Sequence, residues 1–207
     1  MRDVSSRPPA DERPMGLRER KKHLAQSAIE EAALQLFQQR GYEHTSIHDI
    51  ADAVMMSPRT FFRYFASKED VLFGPVRAIQ SEGLHALEHV SPTASPHAAL
   101  RTIFVRLAEA YQDQRDSFLI RYHVALQAPS IASIYLYALT ETEPALYDAL
   151  CAHLETAMSR DEMRFLVAVY MVALRVAIEE WLEHEAREDL VSLLAAHLDT
   201  LSSLPIE

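Results

Sequence analysis

Cysteine, glycine and long apolar runs are scarce in this sequence, and each shortage excludes a class of protein. The single cysteine, Cys151, cannot form an intramolecular disulfide, which fits a reducing cytoplasm. Four glycines among 207 residues disfavour a β architecture that depends on tight turns. The longest apolar run covers residues 165–174 and is too short to span a bilayer, so no membrane partner is predicted.

Motifs for enzymatic chemistry are missing as well. The sequence has no glycine-rich phosphate loop, nucleophile elbow or HExxH motif, so neither an enzyme nor a cofactor is predicted. His85 and His89 have a spacing that permits metal ligation, but no third strong ligand accompanies them. Solvated surface histidines are the commoner arrangement, so no metal is predicted. Cys151 lacks a basic neighbour that would activate its thiol, which leaves a redox role weak.

Charge is abundant but unevenly distributed along the chain. Residues 13–68 contain nine lysines and arginines against six acidic residues, a net charge of +3. Residues 71–207 contain nine basic against nineteen acidic residues, a net charge of −10. The asymmetry favours a polyanionic partner for the first segment only, with chance scatter as the alternative.

The first third of the chain has the pattern of three helices preceded by an arm. Residues 1–16 are rich in proline, arginine, aspartate and serine, which predicts a disordered basic arm. Amphipathic helical spacing follows and stops at Gly41. Ser46 and Asp49 have the spacing of a capping box for a second helix. Ser57 followed by Pro58 predicts the start of a third.

The short third helix divides its side chains between two faces. Phe61 and Phe65 lie four residues apart and are predicted to face inward, which leaves Arg59, Phe62 and Arg63 on the outside. A helix, a second helix, a tight link and a short third helix form a helix-turn-helix arrangement. The predicted fold is therefore all-α, with a three-helix domain over residues 17–67 and a larger helical domain over residues 68–207, about nine helices in all.

The remaining helices are predicted from their apolar spacing and caps. They cover residues 68–89, 95–112, 115–126, 130–139, 143–157, 161–184 and 187–201.

Residues 32–72, AALQLFQQRGYEHTSIHDIADAVMMSPRTFFRYFASKEDVL, resemble the DNA-binding domain of the tetracycline-repressor (TetR) family. The resemblance lies in the helical Leu-Phe, the glycine after the first helix, Thr-Ser opening the second, Ile-Ala within it and the final Tyr-Phe-x-Ser-Lys-Glu. It implies a homodimeric regulator, usually a repressor, that binds a palindromic DNA operator. A small-molecule effector in the second domain would change the spacing of the two DNA-binding heads.

The resemblance also implies roles for individual residues. Thr45 and Ser46 would contact phosphates, and so would Tyr64 and Lys68. The major groove would be faced by Arg59, Thr60 and Arg63, and Pro58 and Phe62 on the same helix are further DNA-binding candidates. A bidentate arginine–guanine contact is worth about 1–3 kcal/mol of discrimination. The basic run over residues 18–22, with Arg18, is expected to contact phosphate, while Arg7 or Arg13 of the arm would enter the minor groove. The alternative for all these cations is an ordinary solvated surface.

Two positions depart from the family pattern. Met55 stands where the family usually has glycine, and a positive φ there would cost methionine roughly 1 kcal/mol. Phe62 stands where a phosphate-binding tyrosine is frequent, so it would contact a thymine methyl group or simply pack.

The second domain is predicted to bind a small hydrophobic effector between its helices. Arg175 interrupts an apolar helix and must meet a carboxylate such as Glu179, a carbonyl, or an acidic or acyl-type effector. The alternative for the apolar candidates is plain core. The candidates are Phe104, Leu107, Tyr111, Phe118, Arg121, Tyr122, Tyr135, Tyr170, Met171, Leu174 and Arg175.

The last two helices are predicted to form the dimer interface. The candidates are Trp181, Leu190, Leu194 and Leu198, with intramolecular core as the alternative. One other function is compatible with the sequence, an all-helical protein-interaction module that has no sequence-specific DNA binding.

Overall fold

The computed structural model describes residues 16–128, 131 and 142–203, and all regular structure in these residues is helical. The predicted arm lies outside the described residues except for Gly16, and the predicted helix over 130–139 lies outside them except for residue 131. The helices are α1 (Leu17–Arg40), α2 (Ile47–Ala53), α3 (Pro58–Phe61), α4 (Lys68–Ala86) with a 3-10 turn (Leu87–His89), α5 (Pro96–Asp113), α6 (Arg115–Gln127), α7 (Glu143–His153), α8 (Arg160–Glu183) and α9 (Leu190–Ser203).

Serine caps set the starts of several helices, as the sequence predicts. The Ser46 hydroxyl accepts the Asp49 N–H at 3.2 Å, and the Asp49 carboxylate accepts the Ser46 N–H at 2.8 Å. Ser57 caps α3 by accepting the Thr60 N–H at 3.1 Å. Each cap satisfies a backbone donor that has no partner inside its helix.

The head, defined as α1 to α3, closes over a small aromatic core. Phe37 and Phe61 are fully buried and Phe65 is nearly so, which confirms the predicted inward face of α3. Phe61 and Phe65 pack with their ring centroids 5.8 Å apart. Because these rings fill the head, the other side chains of α3 remain on its surface.

The body, defined as α4 to α9, buries the residues that the sequence assigns to a dimer interface. Trp181, Leu190 and Leu194 are completely buried within one chain, and Leu198 is 7% exposed. The Trp181 indole N–H donates to the Glu188 carbonyl at 3.0 Å. These four residues are core, so the prediction of a dimer interface there is wrong, because α9 turns this face onto α5 and α8.

The last helix also starts later than the predicted residue 187. Glu185 and Ala186 adopt positive φ values of 57° and 49°, which interrupt the helix. Asp189 then caps the new start by accepting the Ser192 N–H at 2.8 Å. In the part of the chain that the structure describes, no helix is long and apolar enough to cross a membrane.

Candidate nucleic-acid interface and ligand cavity

The outer face of α3 presents cations and one ring to solvent. Arg59 and Arg63 are exposed, and 55% of Phe62 is accessible. Phe62 also packs edge-on against Phe61, with ring centroids 5.7 Å apart. Backbone hydrogen bonds continue the turns to Phe65, whose N–H donates to the Phe61 carbonyl at 3.1 Å. Arg59 and Arg63 therefore stand about one helical turn apart on a rigid support.

Two neighbouring residues are held by local hydrogen bonds. The Thr60 hydroxyl lies 2.9 Å from the Ser57 hydroxyl, so it takes part in the cap of α3. Arg63 donates to the Tyr64 hydroxyl at 3.0 Å, and its guanidinium carbon lies 4.9 Å from the Tyr64 ring centroid. The tyrosine thereby orients the arginine at the surface.

A basic groove joins α3 to the start of α1. Four of the side chains that line it are cations, and the residues are Leu17, Arg18, Glu19, Lys21, Lys22, Arg63 and Tyr64. The groove brings the sequence-predicted Arg18 next to the predicted Arg63 and Tyr64. A concave surface with this excess of positive charge attracts a phosphate backbone.

Lys68 holds the head to the start of α4. Its ammonium donates to the Tyr42 carbonyl at 2.9 Å and to the Thr45 carbonyl at 3.1 Å. It also lies 4.1 Å from the Tyr42 ring centroid. Burial, followed by the hydrogen bond to Glu69, raises the pKa of the Tyr42 hydroxyl, which therefore stays a donor. Only the third N–H of Lys68 is left for a phosphate, so the residue is a positioning group as well.

The two residues predicted to begin α2 at a phosphate have different environments. Ser46 is exposed at the N-cap. Thr45 is 1% exposed, and its hydroxyl donates to the Gly41 carbonyl at 2.9 Å. A side-chain contact from Thr45 to phosphate is therefore wrong, because the hydroxyl is needed to close the connection between α1 and α2.

The backbone of Met55 lies in the left-handed region of φ and ψ, as expected at a position where the family usually has glycine. Its φ is 53° and its side chain is 96% exposed. The turn is closed by the Met56 N–H, which donates to the Ala51 carbonyl at 2.8 Å. The link between α2 and α3 thus keeps a glycine-like backbone at the cost of strain in a non-glycine residue.

The body contains a narrow cavity between α4, α5, α7 and α8. Its volume is about 20 Å³, which is room for about one water molecule. The lining is mainly apolar and consists of Gln80, Gly83, Leu84, Ile103, Leu107, Tyr111, Thr142, Leu146, Met171, Leu174, Arg175 and Ile178.

Known proteins resemble both parts of this chain. Residues 29–73 match the family model described as bacterial regulatory proteins of the tetR family. Residues 94–204, just over half of the chain, match the model of the MftR C-terminal domain. The HTH-type transcriptional regulator TcmR of Streptomyces glaucescens is 35% identical over 199 residues, which cover 91% of this chain and 86% of TcmR.

The chain belongs to the TetR family. It is accordingly a helix-turn-helix transcriptional regulator that binds DNA, and the predictions of an all-α fold and of this function are confirmed.

Further relatives agree with the family. MftR of Mycobacterium tuberculosis, named for the regulation of mycofactocin biosynthesis, is 28% identical over 84% of this chain and 88% of its own length. Thermus thermophilus FadR, a TetR-family repressor solved with lauroyl-CoA, has a TM-score of 0.52 and 24% identity over 85% of this chain and 92% of its own. FadR of Bacillus halodurans has a TM-score of 0.53 and 17% identity, and the match covers 83% of this chain and 91% of that FadR chain. The two structures show that the fold is shared.

The cavity between α4, α5, α7 and α8 includes five of the predicted effector contacts, which are Leu107, Tyr111, Met171, Leu174 and Arg175. Sequence reasoning missed the α4 contribution, which consists of Gln80, Gly83 and Leu84, because no local pattern in α4 points to a cavity. Arg175 binds both oxygens of Glu179, at 2.8 and 2.9 Å, which confirms the carboxylate alternative.

The other predicted effector contacts lie elsewhere. Phe104 packs edge-on against Tyr170, with ring centroids 5.4 Å apart, and Phe118 packs against Tyr111 at 4.8 Å. Tyr122 faces Glu179 and Glu183, and burial followed by these charges raises the pKa of its hydroxyl. None of these residues lines the cavity described above, since Phe104, Phe118 and Tyr170 are buried elsewhere in the core and Tyr122 is partly buried against it. Tyr135 lies outside the described residues.

Arg121 is the clearest correction among the effector candidates. It is 2% exposed, and its guanidinium pairs with Glu30 of α1. It also donates to the Leu72 carbonyl at 2.8 Å and the Ser117 carbonyl at 3.0 Å. Burial lowers the pKa of Arg121, and the charge of Glu30 opposes that shift. With its donors occupied by protein, Arg121 has no role in effector binding.

An exposed apolar stripe remains on α8 once the core face is accounted for. Phe165 is 72% exposed and Val172 is 52% exposed, although both are large apolar residues. The stripe is lined by Phe165, Ala168, Val169, Val172, Ala173 and Val176, with His197 and Thr200 of α9 at its border. The helix is apolar on two faces, which explains the run over residues 165–174.

The histidine pair considered from the sequence has an ordinary surface environment. His85 Nδ1 lies 3.4 Å from the Glu88 carboxylate, and both side chains are 73% exposed. Across residues 16–128, 131 and 142–203, no group of three or more histidine, cysteine, aspartate or glutamate side chains could hold a metal.

Proposed function

We propose that this regulator is a cytoplasmic, non-enzymatic repressor that binds a palindromic operator as a homodimer and is released by a small hydrophobic effector. The observation that carries the proposal is the outer face of α3. Arg59 on α3 and Arg63 in the turn that follows it are exposed, while Phe61 and Phe65 are buried on the opposite side. The adjoining basic groove supplies phosphate contacts on the side of α1.

The cavity supports a ligand that changes the shape of the protein. With room for about one water molecule, the cavity admits an effector only if its walls separate. One wall is α4, whose first residues follow the head directly. A ligand that binds the opened form better than the closed form shifts the population toward it. The effector is proposed to be largely apolar, since Leu107, Met171 and Leu174 face it and Arg175 is already neutralised by Glu179.

The exposed stripe of α8 supports the homodimer. An uncovered phenylalanine and valine on a long helix are costly in water, and a two-fold axis lets the same stripe cover its own copy. The interface proposed here therefore replaces the four buried residues that the sequence indicated. Val172→Glu should convert the dimer to monomer in sedimentation velocity, whereas Glu183→Gln, an exposed change near the end of α8, should not.

DNA binding is tested by selecting bound sequences from a pool of random duplexes. The wild-type protein should enrich a palindrome, with binding that weakens steeply as salt rises. Arg63→Ala should reduce specific binding far more than non-specific binding, while Arg106→Ala on the exposed surface of α5 should leave both unchanged. Equal loss on both kinds of DNA would make Arg63 a phosphate contact only. Enrichment of no sequence would favour the protein-interaction module.

A further inference from the structure

Pro75 removes one backbone hydrogen bond from the first turns of α4. Proline has no N–H, so residue 75 cannot donate to the carbonyl of Val71 four residues earlier, and its ring crowds that turn. A buried carbonyl without a donor is destabilising, so native structures provide one from elsewhere. Here the donor comes from another helix, since Nη2 of Arg121 lies 3.4 Å from the Val71 carbonyl.

The same guanidinium contacts three helices at once. Its Nε donates to the Leu72 carbonyl of α4 at 2.8 Å, and its Nη1 donates to the Ser117 carbonyl of its own helix α6 at 3.0 Å. Its Nη2 also pairs with the carboxylate of Glu30 on α1. All three nitrogens of a side chain that is 2% exposed are thus committed to protein acceptors. A planar, rigid fork of this kind fixes directions as well as distances.

The location of these contacts matters because α1 belongs to the head and α6 to the body. The α4 carbonyls lie at the junction, three to four residues after α4 begins at Lys68. Any rotation of the head about this junction would separate Glu30 from Arg121 or withdraw the carbonyls. Because a buried, unpaired guanidinium is strongly unfavourable, such rotation is resisted.

We propose that Arg121 is the positioning residue that sets the angle of the head on the body, by binding the Val71 carbonyl opened by Pro75 and the neighbouring Leu72 carbonyl, and by pairing with Glu30. The proposal rests on the proposed function, in which the angle of each head decides whether two heads match the half-sites of one operator. Arg121 itself contacts neither DNA nor effector.

The experiment compares the wild-type protein with Arg121→Met, Glu30→Gln and the control Arg115→Met. Arg115 lies on the same helix but is exposed and pairs with its neighbour Asp116. Affinity is measured on the operator selected by the wild-type protein and on versions whose half-site separation is changed by one or two base pairs. Amide hydrogen exchange of the same proteins is followed without DNA. Glu30→Gln keeps Arg121 and its hydrogen bonds to backbone carbonyls. This variant therefore still tests the proposal if Arg121→Met fails to fold.

The expected result is a loss of spacing preference rather than a uniform loss of binding. The ratio of affinities between the best and the altered spacings should fall about tenfold in both junction variants and stay unchanged in Arg115→Met. Exchange should accelerate in α1 and in the first turns of α4, with α5 and α9 as protected as before.

Two results would overturn the proposal. One is an equal loss of affinity at every spacing, which would make Arg121 a stabilising residue only. The other is amide hydrogen exchange that is the same in the junction variants as in the wild-type protein, or that is faster throughout the chain. If the wild-type protein selects no operator, the proposed function fails, and the exchange pattern alone then supports or overturns the role of Arg121.

Discussion

Replacing Gly83 by alanine should force α4 away from α5. A Cβ at this position would lie 2.5 Å from Cδ2, 2.9 Å from Cγ and 3.2 Å from Cδ1 of Leu107. Favourable carbon–carbon contacts need about 3.5–4.0 Å, so a displacement of about 1 Å is required. Leu107 is 6% exposed, and the adjoining cavity of about 20 Å³ is too small to accept its side chain.

The magnitude follows from two opposing effects. Overpacking a buried contact costs about 1–3 kcal/mol, while replacing glycine by alanine within a helix gains about 0.5–1 kcal/mol. The free energy of unfolding should therefore fall by about 1 kcal/mol in Gly83→Ala.

The assay is urea unfolding at one fixed protein concentration, followed by the fluorescence of the single tryptophan, Trp181, which is fully buried. A double variant with Leu107→Ala should be less destabilised than the sum of the two single variants, because the clash disappears. The reasoning is refuted if Gly83→Ala raises the free energy of unfolding, since α4 and α5 would then not be in close contact at this point.

Three further predictions concern the turn, the cavity and the helix caps. Met55→Gly should raise the free energy of unfolding by a few tenths to about 1 kcal/mol, by relieving the φ of 53°, and no change in urea unfolding would contradict the strain. Glu179→Gln should release Arg175 and strengthen binding of fatty acids over the matching alcohols in calorimetry; equal binding of both would remove Arg175 from the site. Hydrogen bonds from Ser159 lower the pKa of Glu162, so the stability from this cap is present above the ordinary pKa of 4.5 and is lost as the pH falls through the lowered value. Ser159→Ala should reduce that acid dependence in thermal unfolding, and an unchanged pH profile would argue against the cap.

The head is predictable in detail because its signals are local. Ser46 and Ser57 fix where two helices begin, because each side chain accepts a hydrogen bond from the backbone N–H three residues later. The spacing of Phe61 and Phe65 fixes which face of α3 is buried, and Arg59 and Arg63 follow on the other face. Thr45 escapes prediction because its burial depends on how the connection between α1 and α2 folds back.

The body is predictable as helices but not as surfaces. Helix α8 is apolar on two faces, and its sequence does not say which face meets α9 and which is left exposed. The four predicted dimer residues fall on the inner side of the last two helices, while Phe165 and Val172 occupy the outer face of α8. Arg121 resembles a ligand contact in the sequence because its partner, Glu30, is 91 residues away in the chain.

What the sequence determined by itself is therefore the all-α fold, the basic three-helix head and the residues on the outer face of α3. Those features arise from interactions within about one helical turn, which a linear pattern records. Only the tertiary structure decided where the cavity lies, which stripe of α8 is exposed and what Arg121 binds. Each of these depends on contacts between helices far apart in the chain, and burial of a given side chain is a property of that packing alone.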